Sequence, residues 1–414
     1  MTNSNEVAQK QTFTRYEVFI IAILSILQFT IILDFMVLNP LGAQLLNELN
    51  IKPAQFGLVV SAYAFSAGAS GLLAAGFADK FDRKKLLLFF YAGFILGTMF
   101  CALATNYQYL LFARIFTGVF GGVIGSITFA IITDLFKMEV RGRVMGFVQT
   151  AFAASQVLGI PIGLILANKY GWHSPFWMIV VFSIMVYALI FIYLKPIDGH
   201  LKIQSDNNPF QHLSKILTTP QYLRAFLTVI LLSTGGYMLM PLGSAFTINN
   251  LKIQMDDLPL IYGITGIFSI IFGPIMGRLS DKIGKYTIFV WASIWSMIMI
   301  GIFTQLGITP LWLAITVNVL LFIGVSTRMI ASSALMTAVP KPQDRGAFMS
   351  LNSSIQQIGG GFASAAAGLI VVQTPSGFLE HYDILGYVVI TSMLIVMGLM
   401  YFLNKSIQNA AKNG

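Results

Sequence analysis

Residues 18–41 read VFIIAILSILQFTIILDFMVLNPL, an apolar run in which Asp34 is the only charged side chain. A run with no polar face cannot be one side of an amphipathic helix on a soluble core. At about 1.5 Å per residue it is long enough to cross the roughly 30 Å hydrocarbon layer of a bilayer. Segments of the same kind recur along all 414 residues, of which 56% are hydrophobic and only 10% charged, with a mean hydropathy of +0.78. Soluble domains carry about 25% charged residues, so a soluble enzyme, a nucleic-acid binder and a secreted scaffold are excluded. The chain reads as a polytopic membrane protein. No small-residue cleavage site follows the first run, which is therefore read as a retained span rather than a removed signal peptide.

The apolar cores fall at 18–41, 56–78, 86–104, 110–132, 144–166 and 175–194 in the first half. In the second half they fall at 225–246, 258–277, 286–306, 311–338, 348–372 and 384–403. They are numbered here as spans 1 to 12. The single cysteine, Cys101, sits inside one of them and allows neither an intramolecular disulfide nor a cysteine metal site. The four histidines lie between spans and never at i, i+4 spacing, so no metal or other cofactor is implied.

Placing the N-terminus in the cytoplasm puts twenty of the 25 Lys and Arg on that side, against Lys52, Lys169 and Lys252 outside. The net charge of +9 is thus a positive-inside topology signal and not a nucleic-acid surface. Both termini are then cytoplasmic. The one long connection, polar and centred on 196–221, divides the chain into an N-terminal six-helix bundle (1–195) and a C-terminal one (222–414).

The halves carry a weak repeat. Pro40-Leu41-Gly42 recurs as Pro241-Leu242-Gly243, Ala78-Asp79-Lys80 as Ser280-Asp281-Lys282, and Arg141-Gly142 with Met145 as Arg345-Gly346 with Met349. Three matches in order at nearly one offset indicate parallel internal repeats, an all-α architecture of two pseudo-symmetric six-helix bundles with a site between them near the bilayer midplane.

The stretch after span 2, Ala75-Gly76-Phe77-Ala78-Asp79-Lys80-Phe81-Asp82-Arg83-Lys84, resembles the G-x-L-A-D-R-x-G-R-K signature of the major facilitator superfamily. Ala75 and Asp82 stand where that signature has glycines. The second copy, Gly277-Arg278-Leu279-Ser280-Asp281-Lys282-Ile283-Gly284-Lys285, keeps both glycines. Span 4 carries Arg114-Ile115-Phe116-Thr117-Gly118, similar to the R-x-x-x-G motif of proton-coupled members. Gly159-Ile160-Pro161-Ile162-Gly163 in span 5 looks like a variant of the antiporter Gly-Pro motif, as in drug exporters and arabinose-efflux-like sugar exporters. The resemblance covers the whole chain. It implies a carrier that works by alternating access and exports its cargo, with spans 1, 4, 7 and 10 around a central cavity.

Ionisable side chains inside spans are functional candidates by default, because insertion costs a few kcal/mol each. Three stand out: Asp34, Arg114 and Arg328. Asp34 lies roughly 24 Å above the cytoplasmic start of span 1 and Arg114 roughly 7 Å below the outer end of span 4, depths that coincide in a layer about 30 Å thick. An Asp34–Arg114 pair, direct or through water, is expected. Burial favours a neutral carboxyl and a neighbouring guanidinium favours the ionised form, so Asp34 can change protonation as the cavity wets or fills, with Arg114 tuning it. A plain structural clamp is the competing reading. Arg328 either attracts an anionic group, pairs with carbonyls, or snorkels toward the inner interface.

The cargo-facing candidates on the presumed lining spans are Asp34, Arg114, Arg328, Phe35, Asn39, Tyr237, Met238 and Asn318. The same spans carry Phe35, Met36, Phe116, Met238, Phe246, Phe322 and Met329, an aromatic and methionine surface that suits amphipathic compounds better than free sugars. Gly118, Gly121, Gly122 and Gly125 read as packing surfaces. Asp79, Arg83, Asp134, Arg141, Arg143, Asp281, Lys285 and Arg345 read as a cytoplasmic gate, Asp79 and Asp281 placed to cap the helices beginning near Arg345 and Arg141.

The leading expectation is a proton-coupled exporter of small amphipathic or drug-like molecules in a bacterial inner membrane. It would act as a monomer whose partners are its substrate, protons and lipid, with no nucleic acid. An exporter of sugars or polar metabolites is the alternative. A non-transporting sensor on the same fold is a third reading. A membrane enzyme is disfavoured by the lack of a metal cluster, catalytic triad or phosphate loop.

Overall fold

A computed structural model describes residues 13–202, 209–341 and 344–413. Span 1 starts as the helix Arg15–Val37, opened by a capping box: Thr14 accepts the Glu17 N–H at 3.2 Å and donates its own N–H to the Glu17 carboxylate at 2.8 Å. Spans 2, 3, 4 and 6 are Pro53–Phe77, Arg83–Ala102, Tyr107–Leu135 and Ser174–Tyr193. Spans 8, 9 and 10 are Leu258–Ile283, Lys285–Thr304 and Leu311–Met336, and span 12 is Tyr382–Asn413. The connection between the halves, of which 203–208 lie outside the described residues, contains the helix Pro209–Thr218.

Two spans expected to be continuous are broken. Span 1 stops at Val37 and resumes as Gly42–Glu48; span 7 runs Pro220–Tyr237 and resumes as Met240–Asn249. The cause is the repeated proline. Pro40 and Pro241 lack an N–H and would clash with the carbonyl four residues back in an unbroken helix. Span 5 is also interrupted: between Met138–Ala154 and Ile160–Tyr170, a π-turn at Ser155–Gly159 precedes Pro161, the kind of local widening common at functional positions.

Among the described residues, eleven helices are long and apolar enough to cross a membrane. Span 11, Arg345–Ile370, falls short because it carries Asn352, Ser353, Gln356, Gln357 and three successive glycines, Gly359–Gly361. It is nonetheless embedded, packed along span 2: the Ser61 hydroxyl donates to the Gly361 carbonyl at 2.8 Å. The result is an all-α membrane fold of twelve spanning helices in two six-helix bundles. A short hairpin, Val372–Gln373 against Leu379–Glu380, links spans 11 and 12 and is clamped by the Asn250 amide through both polar groups of Leu379, at 2.8 and 2.9 Å.

The start of span 1 packs beside Phe136 and Lys195 and the last part of span 12 beside Tyr286, at the basic connections. The halves pack along spans 2 and 11, with Gly57 on Ser364 and Gly68 and Gly71 on Ser354, and they also meet at the opposite end. There Ser244 donates to the Asn39 carbonyl at 3.1 Å, and Asn168 donates to the Met255 carbonyl at 3.1 Å and the Asp256 carboxylate at 3.2 Å. Gln44 joins the same knot through Asn168 at 2.9 Å. Midway, Gly266 of span 8 packs on Val157 in the π-turn of span 5. Toward the basic end, Gln149 and Thr150 of span 5 and Ser353 of span 11 are exposed within the span thickness.

Candidate functional site

The ionisable residues of the N-terminal half meet in its interior. Arg114 of span 4 donates from Nη1 to Asp34 Oδ2 of span 1 at 2.8 Å, and both side chains are sealed from solvent. The other carboxylate oxygen, Oδ1, accepts from Thr98 of span 3 at 3.1 Å. Tyr63 of span 2 lays its ring over the guanidinium, 4.5 Å from Cζ to centroid, an arrangement favoured by the ring's negative face. Four helices therefore contribute to one polar cluster in an apolar bundle. Close packing is possible because Gly118 and Gly122 bring span 4 onto the backbone of Tyr63 and Ala67 in span 2, where a Cβ has no room. These glycines form a packing seam.

The cluster is connected to the other half by aromatic rings. Phe35, next to Asp34, stacks against Tyr63 at 5.4 Å and against Tyr237 of span 7 at 5.9 Å. Displacing Phe35 or Tyr237 would thus disturb the ring that holds Arg114. One turn beyond Asp34, where span 1 breaks, a cavity opens between the halves. It is lined by Met36 and Asn39 of span 1, Gln156 of the π-turn, Thr265 of span 8, and Asn318 and Phe322 of span 10, among others. The Asn39 side-chain oxygen is buried without a hydrogen-bond partner. That of Asn318 accepts from Thr265 at 3.0 Å.

Of the cargo-facing candidates, Asn39 and Asn318 line this cavity, Asp34, Arg114, Phe35 and Tyr237 do not, and Met238 is buried at the break of span 7. Restricting attention to spans 1, 4, 7 and 10 missed Thr98, Tyr63, Gln156 and Thr265, which come from spans 2, 3, 5 and 8. The Gln156 amide inside an apolar span was the one available signal. Arg328 does not snorkel. It points into the C-terminal bundle, 1% exposed, with Cζ 5.7 Å from the Phe289 ring centre.

At the basic end the gate candidates separate by half. Arg83 pairs with Asp134 at 2.9 Å and donates to the Ala78 carbonyl at 2.8 Å. Arg141 donates to the Phe136 and Thr133 carbonyls at 2.9 and 2.6 Å, and Arg143 lies 4.1 Å over the ring of Phe13. These contacts tie spans 1 to 5 together. The Asp79 side chain lies outside the described residues. In the second half the expected capping does not occur: Asp281 and Arg345 are exposed and Lys285 is half-buried, with no ion pair among the described residues. Asp344 precedes the helix beginning at Arg345, and Lys137 precedes that beginning at Met138. Asp344 instead accepts from the Tyr222 hydroxyl at 2.8 Å.

Two six-helix repeats packed around a cavity, with a buried ion pair in one of them, have the form of a membrane carrier. The model of the Major Facilitator Superfamily matches residues 24–293 and 225–414, and the chain belongs to that family. It is 26% identical over 261 residues to the uncharacterized MFS-type transporter YceJ of Bacillus subtilis (strain 168), covering 62% of this chain and 66% of that one. It is 23% identical over 326 residues to a probable sugar efflux transporter of Helicobacter pylori (strain G27), covering 75% and 82%. Among solved structures, that of a D-xylose–proton symporter superposes with a TM-score of 0.76 at 15% identity, covering 92% of this chain and 97% of the other. At that identity the likeness is one of fold.

Proposed function

We propose that this transporter exports small amphipathic molecules across a bacterial inner membrane in exchange for protons, with its basic end and both termini in the cytoplasm. The observation that carries the reading is the inter-half cavity. Its wall is chiefly apolar, with a few amides and hydroxyls at Asn39, Gln156, Thr265 and Asn318. Such a surface accommodates varied apolar bodies and fixes them by few polar contacts. On this reading the described state is inward-facing: Asn168, Gln44, Asp256 and the Asn39–Ser244 contact form the closed outer gate, and Arg83, Asp134, Arg141 and Arg143 brace the open inner one.

Asp34 is the proton carrier in this scheme. Cargo entering from the cytoplasm displaces Phe35 and Tyr237, and Tyr63 then shifts on Arg114. Loss of the proton from Asp34 restores the ion pair with Arg114. Reprotonation from outside breaks that pair and resets the carrier. The test is exchange by the purified protein in liposomes under an imposed pH gradient, with Asp34→Asn alongside. Unchanged gradient-driven exchange in that variant removes Asp34 from coupling.

Export of sugars is the second reading, favoured by the name of the Helicobacter pylori relative. A panel of dyes, biocides and sugars in a growth-protection assay separates the two: protection against lipophilic compounds alone supports the first, and relief of sugar toxicity alone supports the second.

A further inference from the structure

The C-terminal half buries a guanidinium that has no counter-charge. Arg328 lies about 12 Å from the basic end of span 10. Its Nε and Nη2 are buried with no hydrogen-bond partner. The six acidic residues of this half, Asp256, Asp257, Asp281, Asp344, Glu380 and Asp383, all sit in loops or at helix ends. Arginine does not shed its proton at accessible pH, so it cannot escape burial by becoming neutral, and an unpaired buried charge is strongly unfavourable.

The repeat shows what is different here. Aligning Pro40-Leu41-Gly42 with Pro241-Leu242-Gly243 places Gly235 at the position of Asp34. The N-terminal half supplies a carboxylate to its buried arginine from span 1. The C-terminal half has glycine on span 7, and that glycine packs directly on the guanidinium: a Cβ at 235 would collide with Nη1 and meet the Met393 methyl at 3.0 Å. The two unpartnered donors, Nε and Nη2, form the side-on fork that binds a carboxylate through two parallel N–H···O bonds.

We propose that Arg328 is a binding site for a monocarboxylate, held side-on by Nε and Nη2, the edge of the guanidinium opposite the Nη1 that packs on Gly235. The carboxylate is either a free small anion or the acid group of the transported molecule. The site stands independently of proton exchange, and its readout is binding.

The test is the thermal unfolding midpoint of the purified protein, titrated with potassium formate or potassium benzoate against potassium chloride at equal ionic strength, with benzamide as the uncharged analogue of benzoate. Saturating formate is expected to raise the midpoint by about 3 °C or more over chloride. Arg328→Gln should abolish that rise. Arg328→Lys, which keeps the charge but lacks the two-pronged donor edge, should weaken the rise without removing the buried cation. Benzoate acting at lower concentration than formate, with benzamide inert, assigns the site to the acid group of a cargo; formate alone assigns it to a free anion. Equal shifts with formate and chloride in the wild-type protein, or a formate shift that survives Arg328→Gln, overturn the proposal. Failure of Asp34→Asn to change proton-driven exchange would leave it standing.

Discussion

Replacing Arg114 by methionine removes the positive half of a pair that is sealed from solvent. Asp34 is left with one partner, the Thr98 hydroxyl at 3.1 Å. With the two charged groups about 4 Å apart at an effective dielectric of about 20, their attraction is ~4 kcal/mol. Loss of one member of a buried pair costs about 3–5 kcal/mol, because the survivor stays desolvated without compensation. Asp34→Asn should cost a similar amount by stranding Arg114, whose Nε already lacks a partner. The double variant removes both charges at once and should cost little more than either single one, giving a coupling energy above about 2 kcal/mol in the cycle. Tryptophan fluorescence during denaturant unfolding of the purified protein measures all four corners. Losses that add within about 0.5 kcal/mol would refute the idea that the two residues stabilise each other, and with it the proposed use of their separation as a coupling step.

Other outcomes follow from the same geometry. Thr98→Val, nearly equal in volume, should cost about 1 kcal/mol by removing the second hydrogen bond on Asp34, measured in the same unfolding assay. Gly122→Val should abolish folded yield on size-exclusion chromatography, because the new side chain meets the Ala67 backbone, whereas Gly125→Ala should be neutral, since a Cβ there meets nothing within 4 Å. Asn168→Ala removes the bonds to Gln44, Met255 and Asp256. At about 1 kcal/mol per bond, it should shift the population toward the outward-open state by tenfold or more. Cross-linking of Gln44→Cys with Met255→Cys in a Cys101→Ser background reports the shift as lost cross-link; an unchanged yield would show that these bonds do not hold the gate.

The sequence by itself determined the class of fold. Twelve apolar runs, the basic residues between them and the repeated Pro-Leu-Gly are local or periodic features, fixed by the bilayer's demand for about 20 apolar residues per span and by what proline does to a helix. The same rule about charges in lipid singled out Asp34, Arg114 and Arg328, and helical rise alone put the first two at one depth.

Which groups surround those charges was decided only by the tertiary structure. Thr98 and Tyr63 reach the ion pair from spans 2 and 3 because glycines let the helices approach, and no spacing along the chain encodes that meeting. The proline breaks in spans 1 and 7 and the π-turn of span 5 border a cavity one turn away from Asp34, lined by Asn39, Gln156, Thr265 and Asn318 among others. Arg114 and Arg328 are both cations inside spans. Packing made one of them half of an ion pair and set the other against a glycine, because the partner of a buried charge is chosen by the helix that lies across from it.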